Sequence, residues 1–250
     1  MNDALINYCL RIGDSSLVLG QRLGEWCSKG PMLEEDIALT NMSLDLFGQS
    51  RMLYGYVAEL KGGDETEDTL AFRRNEREFF NSLISERPNG HFGDTIARSF
   101  FVDAFNFHFY TKLKESKNEV LSAFAEKSLK EVIYHLRHTS QWVIRLGDGT
   151  EESKEKIQGS INALWSYTED MFDMNEADET LVKEGIAIDL DSIKADWKKT
   201  IDDVLTKAKL TLPENTFMHK GSRQGLHSEF LGHLLCEMQY IQRSYPNSEW

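Results

Sequence analysis

The stretch LEEDIALTNMSLDLFGQSRMLYGYVAEL, residues 33–60, decides the fold class, because its apolar residues recur every three or four positions, as on one face of an α-helix. The members of this stripe are Leu39, Met42, Leu46, Gln49, Leu53, Tyr56 and Leu60. Gln49 is its one polar member, and Gly62-Gly63 follows as a stop signal. The segment therefore predicts a long helix with one core-facing side.

The same periodicity extends over most of the 250 residues. It predicts helices over about 3–27, 33–61, 72–86, 93–116, 119–146, 151–172, 176–184, 191–209 and 226–243. The four prolines, at positions 31, 88, 213 and 246, lie beside glycine or polar residues, where a helix would end in any case. Segments that alternate with period two and are rich in Val, Ile and Thr are missing, so we expect an all-α protein.

The charge balance disfavours two classes of partner. The chain has 28 Lys and Arg residues against 41 Asp and Glu residues, a formal net charge of -13. Such a chain repels phosphate backbones and anionic lipid headgroups, so we expect it to bind neither nucleic acid nor membranes.

The cysteines and the N-terminal residues predict the cellular compartment. Cys9, Cys27 and Cys236 form no CxxC or zinc-binding pattern, and an odd number of unpaired cysteines is typical of a reducing compartment. The start Met1-Asn2-Asp3-Ala4 shows no basic residues followed by an apolar run, and no segment has the length of an apolar membrane span. We therefore expect a cytoplasmic protein.

Two further helical stripes carry an acid and an imidazole among apolar residues. One consists of Ile96, Phe100, Asp103, Phe107 and Tyr110, and the other of Leu121, Ala125, Leu129, Val132, His135, Thr139, Trp142 and Leu146. Two long helix pairs with polar residues on their apolar faces are typical of a bundle built from two similar halves. Di-iron carboxylate proteins use such bundles, with a Glu on each of two helices and a Glu-x-x-His pair on each of the other two.

The Glu-x-x-His pattern does not occur in this chain. The residues three positions before the seven histidines are Pro88, Phe105, Val132, His135, Thr216, Gln224 and Phe230. Because none of them is acidic, the sequence excludes an ordinary di-iron site of this type.

Several motifs carry a resemblance to a known family. They are LRIGD (10–14), QRLGEW (21–26), LDLFGQ (44–49), DTLAF (68–72), DTIAR (94–98), KEVIYHLR (130–137) and the tail from GLH (225–227) through EMQY (237–240) to Trp250. In these motifs, and over nearly the whole chain, the sequence resembles the structural C subunits of bacterial phenylacetyl-CoA epoxidase complexes.

The resemblance implies a ferritin-like four-helix bundle with additional peripheral helices. It further implies one domain over residues 1–250, with a core bundle at about 3–147 and accessory helices at 150–250. The fold would be related to that of the catalytic A subunit but would lack its iron ligands.

Aligned with the ligand pattern of the catalytic subunit, six positions would be degenerate. Gln21 would stand for the first-helix Glu, Leu46 and Gln49 for the first Glu-x-x-His pair, Asp103 for the third-helix carboxylate, and Val132 and His135 for the second pair. Only Asp103 and His135 keep ligand chemistry, so the resemblance implies no metal, cofactor or catalytic residue in this chain.

By the same resemblance, the chain would stabilise the A-type subunit of a monooxygenase that converts phenylacetyl-CoA to its ring-1,2-epoxide. The di-iron centre would lie in that partner, and NADPH, FAD and an iron–sulfur centre would serve the reductase of the complex. Other epoxidase components are also expected partners. Without its partners, the chain could form a homodimer.

Three features of the sequence each leave two interpretations open. Asp103 and His135 would satisfy each other as a buried pair, or would hold one metal with support from Gln21 and Gln49. The aromatic face between Phe100 and Tyr110 is either ordinary core or the pocket of a binding protein. The last helix has two options as well: to dock on its own bundle or to offer a partner surface.

Overall fold

The computed structural model describes residues 2–214, 216–246 and 248. Met1 and Trp250, which belong to two of the segments discussed above, lie outside the described residues. The helices are α1 (Asn2–Gly24), α2 (Leu33–Lys61), α3 (Glu67–Phe72), α4 (Phe92–Leu113), α5 (Glu119–Gly147), α6 (Glu151–Trp165), α7 (Glu176–Glu184), α8 (Asp191–Ala208) and α9 (Glu229–Ser244). Short 3-10 turns lie at Glu76–Glu78, Glu169–Phe172 and Ser222–Gln224. The described residues contain no strand, which confirms the all-α fold class.

The helices are grouped into two compact units. The first unit comprises Met1–Arg87 and Gly221–Trp250, and the second comprises Pro88–Lys220. The first is built on the pair α1 and α2, with α3 on α2 and α9 on α3. The second is built on the pair α4 and α5, with α6 and α8 packed on both. The sequence predicted a single domain with a core at 3–147, and that division stays a prediction.

Glycines on α1 allow α2 to pack at close range. A Cβ at Gly13 would lie 2.9 Å from the Tyr54 ring, and one at Gly20 would lie 2.9 Å from the Phe47 ring. The Ser43 hydroxyl also donates to the Gly20 carbonyl at 2.7 Å. The helix pair is therefore held at a spacing that larger residues would force apart.

The prediction of a helix over residues 72–86 is wrong. Helix α3 ends at Phe72, and the following residues form one 3-10 turn and irregular backbone. The backbone N–H of Phe80 donates to the Asp14 carboxylate at 2.8 Å, and that of Ser82 donates to the Ser15 hydroxyl at 3.1 Å. These amides bond to side chains of α1 rather than to carbonyls four residues earlier, so local periodicity was overridden by packing.

Aromatic side chains fill the second unit. Trp165 stacks on Trp197 with ring centroids 5.7 Å apart, and Phe101 lies 5.8 Å from Trp165. The Trp197 indole N–H donates to the Phe101 carbonyl at 3.1 Å. Within this unit, Phe101 is therefore part of a packed core.

The other predicted helices agree with the structure to within a few residues, with one further exception. The segment expected to be helical over 151–172 is α-helical only to Trp165, and a 3-10 turn begins at Glu169. None of the helices over the described residues combines the length and the apolar character that a membrane crossing requires.

Candidate functional site

Asp103 and His135, on the paired helices α4 and α5, lie close to each other in the core of the second unit. Asp103 is 2% exposed and His135 is fully buried. Thr139, one turn after His135 on α5, donates its hydroxyl hydrogen to Asp103 Oδ2 at 2.9 Å and also to the His135 carbonyl at 3.0 Å. The structure therefore brings together the two predicted polar residues and adds a hydroxyl that the sequence analysis placed only in the apolar stripe.

The environment of Asp103 favours its neutral form. Burial raises the pKa of its carboxyl from 3.8 to about 6, while the charge of His135 and the Thr139 hydrogen bond act in the opposite direction. Desolvation outweighs both because the carboxyl has left water completely. With a pKa of about 6, the carboxyl ionises less readily than an exposed one but still carries its charge at pH 7.

The other predicted positions contribute no anionic group. Leu46 and Gln49 are each 2% exposed on α2, and Val132 is fully buried on α5, one turn before His135. Val132 and Leu46 offer no donor atom, and an amide is a weaker ligand for iron than a carboxylate. The two helices thus carry packing residues at these positions.

Gln21 lines a cleft on the α1–α2 pair and does not lie beside Gln49. It is half-buried and lines a cleft of about 390 Å³, whose α2 wall consists of Phe47, Ser50 and Tyr54. At about 100° per residue, Gln49 points to the opposite side of α2 from Phe47 and Tyr54. Gln21 and Gln49 therefore do not share one face of the α1–α2 pair.

We tested whether this set of residues suits the di-iron centre that the related fold implies. Two irons need several carboxylates, at least one of which bridges the metals. The six positions supply one carboxyl with a raised pKa, one imidazole, two amides and two apolar side chains. Nowhere in the described part of the chain do three or more His, Cys, Asp or Glu side chains lie close enough to hold a metal ion. The donor set does not fit a di-iron centre.

A buried ion pair that sequence reasoning missed lies in the first unit. The Arg74 guanidinium donates to both oxygens of Asp14, at 3.1 and 2.5 Å, and Tyr54 donates to Asp14 Oδ1 at 2.5 Å. Arg74 also lies over the Phe79 ring, 4.1 Å from its centroid. Burial and the nearby Asp14 raise the pKa of Tyr54 well above its ordinary value, so the phenol stays protonated. The cluster links α1, α2 and the segment after α3.

A second missed cluster attaches the start of α9. His227 Nδ1 lies 2.8 Å from Glu86 Oε2, and His227 Nε2 lies 2.8 Å from the Phe79 carbonyl. The backbone N–H of Ser228 donates to Glu86 Oε1 at 2.6 Å. Burial alone would lower the pKa of His227, but the hydrogen bond and charge of Glu86 outweigh it and raise that pKa. The pair therefore favours the charged imidazolium.

Neither cluster had a detectable sequence signal. Asp14 and Arg74 are 60 residues apart, and Glu86 and His227 are 141 residues apart. Helical spacing identifies residues that share a face, and it says nothing about pairs formed by distant segments. An arginine close in sequence to an aromatic residue occurs in many proteins, so it is only a weak signal for a buried ion pair.

Comparison with known proteins supports the resemblance seen in the motifs. Residues 1–250 match the family described as "Phenylacetic acid catabolic protein", whose fold is ferritin-like. The chain is 48% identical over 246 residues to the C subunit of the 1,2-phenylacetyl-CoA epoxidase of Escherichia coli (strain K12), and the matched region covers 98% of this chain and 99% of that protein. The ferritin-like fold class and the family expected from the motifs are thereby confirmed. The chain belongs to the phenylacetic acid catabolic protein family.

Proposed function

We propose that the chain is the non-catalytic structural subunit of a multicomponent di-iron monooxygenase that converts phenylacetyl-CoA to its ring-1,2-epoxide. In this role it stabilises the catalytic A-type subunit during aerobic phenylacetate degradation. The end-to-end similarity to the C subunit of a 1,2-phenylacetyl-CoA epoxidase supports the assignment.

The observation that carries the proposal is the donor set at the predicted ligand positions. Asp103 is hydrogen-bonded to Thr139 and has a pKa of about 6, while Leu46 and Val132 fill two positions with apolar groups. A site with so little negative charge does not repay the dehydration of two divalent ions. The residues are arranged to pack a helical core, and we assign them no step of the oxidation.

The resemblance to epoxidase C subunits implies where the cofactors of the proposed reaction are bound. We assign the di-iron centre to the A-type partner, and NADPH, FAD and an iron–sulfur centre to the reductase of the complex. When bound in the partner, the di-iron centre would supply oxygen activation. This chain would act in the cytoplasm, where it would bind and stabilise that subunit.

An exposed apolar face on α2 supports association with a partner. Leu33, Ile37 and Leu44 are 72%, 51% and 60% exposed and fall on one side of the helix, opposite the stripe that contains Leu46 and Leu53. A helix that is apolar on both sides is typical of a buried position. Covering these side chains with a partner would remove apolar surface from water, as interfaces of permanent complexes do.

Turnover by a reconstituted complex tests the proposal. We would co-express the chain with an A-type epoxidase subunit, add the reductase, and compare wild-type complex with complexes in which this chain carries Asp103→Asn or His135→Gln. Size-exclusion chromatography would confirm equal assembly. We expect turnover per assembled complex to stay within about twofold, because a lost acid–base or ligand group typically costs about 100-fold or more.

A loss of that size in an intact complex would contradict the non-catalytic role. It would instead support the alternative in which Asp103 and His135 hold a metal. Turnover by the purified chain without its partner would contradict the proposal as well.

A further inference from the structure

A cleft in the first unit has the size and lining of a small-molecule site. It measures about 390 Å³ and lies between α1, α2 and α3. Its lining consists of Leu17, Gln21, Phe47, Ser50, Arg51, Tyr54, Glu67, Asp68, Ala71 and Phe72. Ligand sites typically measure 300–1,000 Å³ and have mainly apolar walls with a few polar groups. Five of the ten lining side chains are apolar, three of them aromatic rings, and the other five are polar or charged.

One buried hydroxyl in this cleft, that of Ser50, is poorly hydrogen-bonded. Ser50 is 2% exposed, and its Oγ makes no hydrogen bond of acceptable geometry among the described residues. It lies beside the Tyr54 phenol and lowers the pKa of that group, while the phenol itself donates to Asp14 and accepts from Arg74. A buried polar group left in this state is costly, and a ligand with a hydrogen-bonding group would remove the cost.

Gln21 supplies a second polar group on the α1 side of the cleft. Its amide is half-buried and lines the cleft. An amide both donates and accepts, so it can bind a carbonyl, a hydroxyl or another amide. Together, Ser50 and Gln21 offer complementary groups to one polar substituent.

The rim of the cleft disfavours anions. Arg51 Nε is paired with Glu67 Oε1 at 2.7 Å, and Asp68 adds a second carboxylate. One guanidinium therefore faces two carboxylates, which leaves a net negative rim. A negatively charged ligand would be repelled, while a neutral one would not.

We propose that this cleft binds a small, uncharged aromatic molecule that carries one hydrogen-bonding group. The ring would pack among Phe47, Tyr54 and Phe72, and its polar substituent would meet Ser50 and Gln21. This inference concerns a site made by the chain itself, so it stands or falls independently of the structural role in an epoxidase.

Ligand-observed saturation-transfer NMR and calorimetry on the full chain test the proposal. The probe is phenylacetamide, which combines a phenyl ring with a neutral amide. Phenylacetate serves as the charged counterpart, and cyclohexylacetamide lacks the aromatic ring. We expect phenylacetamide to bind and the other two to bind at least about fivefold more weakly. Equal binding of all three, or no transfer to phenylacetamide at millimolar concentration, would overturn the proposal.

Variants locate the binding site. Gln21→Ala removes one polar contact and should weaken phenylacetamide binding about five- to tenfold, the usual effect of one hydrogen bond. Gln242→Ala, a half-buried glutamine on α9 outside the cleft, is the matched control and should leave affinity unchanged.

Ala71→Leu fills the cleft and should abolish binding. Should Ala71→Leu melt well below the wild-type chain, Gln21→Phe, at a half-buried position, blocks the same space without changing the core. Undiminished affinity in a folded blocking variant would show that the probe binds elsewhere and would overturn the assignment.

Discussion

At the scale of single residues, Asp103 shows how a carboxyl group can be accommodated inside an apolar helix pair. Its neutral form is favoured by burial, and Thr139 supplies a hydrogen bond at 2.9 Å. His135 lies close enough for its charge to oppose the rise in the pKa of Asp103. The buried Asp103 carboxyl therefore has a hydrogen-bond partner supplied by a short side chain.

The raised pKa of Asp103 predicts a specific pH dependence. The folded chain binds this proton more tightly than the unfolded chain, since the pKa is about 6 in one state and 3.8 in the other. The free energy of unfolding should therefore fall as the pH rises from 4 to 6, relative to the Asp103→Asn variant, by up to about 3 kcal/mol. Urea denaturation of both proteins across this range measures the difference, and a constant difference would contradict the raised pKa.

The ion pair between Asp14 and Arg74 predicts strong energetic coupling. Arg74→Met would leave the fully buried Asp14 carboxylate without its cation and should cost about 3–5 kcal/mol of the free energy of unfolding. Adding Asp14→Asn to that variant should cost much less than it does alone, since the stranded charge is then gone. A double-mutant cycle by urea denaturation at pH 7 measures the coupling, and additive losses would mean that the two groups act independently.

Sequence reasoning found the residues of the second unit better than those of the first. Asp103 and His135 were visible because each interrupts an apolar stripe at a core position. The partners of Asp14 and Glu86 were invisible, because they come from segments that approach only after folding. Gln21 was assigned to the first-helix Glu position by resemblance to a ligand pattern, and in the structure it lines the cleft beside Phe47.

At the scale of helices, the sequence predicted most elements, short α7 included, but failed after Phe72 and after Trp165. Helices α2, α5 and α7 begin at the predicted residues. The segment after Phe72 has a helix-like pattern but bonds its backbone to Asp14 and Ser15. A segment of this length gains little from its own helical hydrogen bonds, so contacts with α1 decide its conformation.

The last helix is docked on its own unit along one side. Gln239 donates to the carbonyls of Ala71 and Arg74, both at 3.0 Å, and Arg243 donates to the Arg74 carbonyl at 2.7 Å. Tyr240 and Ile241, on the other side, are 65% and 46% exposed. Of the two options open from the sequence, docking on the chain itself is confirmed, and the exposed side keeps room for a partner.

The His227–Glu86 pair predicts that this docking weakens at high pH. Because the pKa of His227 is raised in the folded state, its stabilising effect is complete below the ordinary value of 6.5 and is lost as the pH rises through the raised value. Hydrogen exchange of α9, corrected for the intrinsic rate, should therefore speed up between pH 6 and pH 9. In His227→Gln the exchange should be faster and independent of pH, and an unchanged pH dependence in this variant would contradict the account.

At the scale of the whole molecule, each of the two units rests on one long helix pair. In the proposed role, the chain would keep the ferritin-like fold while four of the six predicted ligand positions carry apolar or amide groups. An apolar side of α2 is exposed to solvent, in a chain with a net charge of -13. These features are typical of a subunit that acts through association.

The exposed side of α2 predicts where association is sensitive. Leu44→Asp places a charge on a residue that is 60% exposed, so the fold of the chain should be unaffected. If α2 meets the A-type subunit, the buried charge should weaken the complex by about 100-fold or more. Val120→Asp, on the exposed part of α5, is the matched control. Equal affinity of wild-type and Leu44→Asp chains in calorimetry would exclude this face as the interface.

The iron content of the isolated chain tests the central claim most directly. The chain would be purified from iron-replete cells, incubated with ferrous iron without oxygen, desalted and analysed by mass spectrometry for metals, with the A-type subunit treated in parallel. Because one carboxyl and one imidazole cannot repay the dehydration of two ferrous ions, we expect less than about 0.1 iron per chain, against about two in the A-type subunit. Close to two irons in this chain, lost in Asp103→Asn and His135→Gln, would contradict the account.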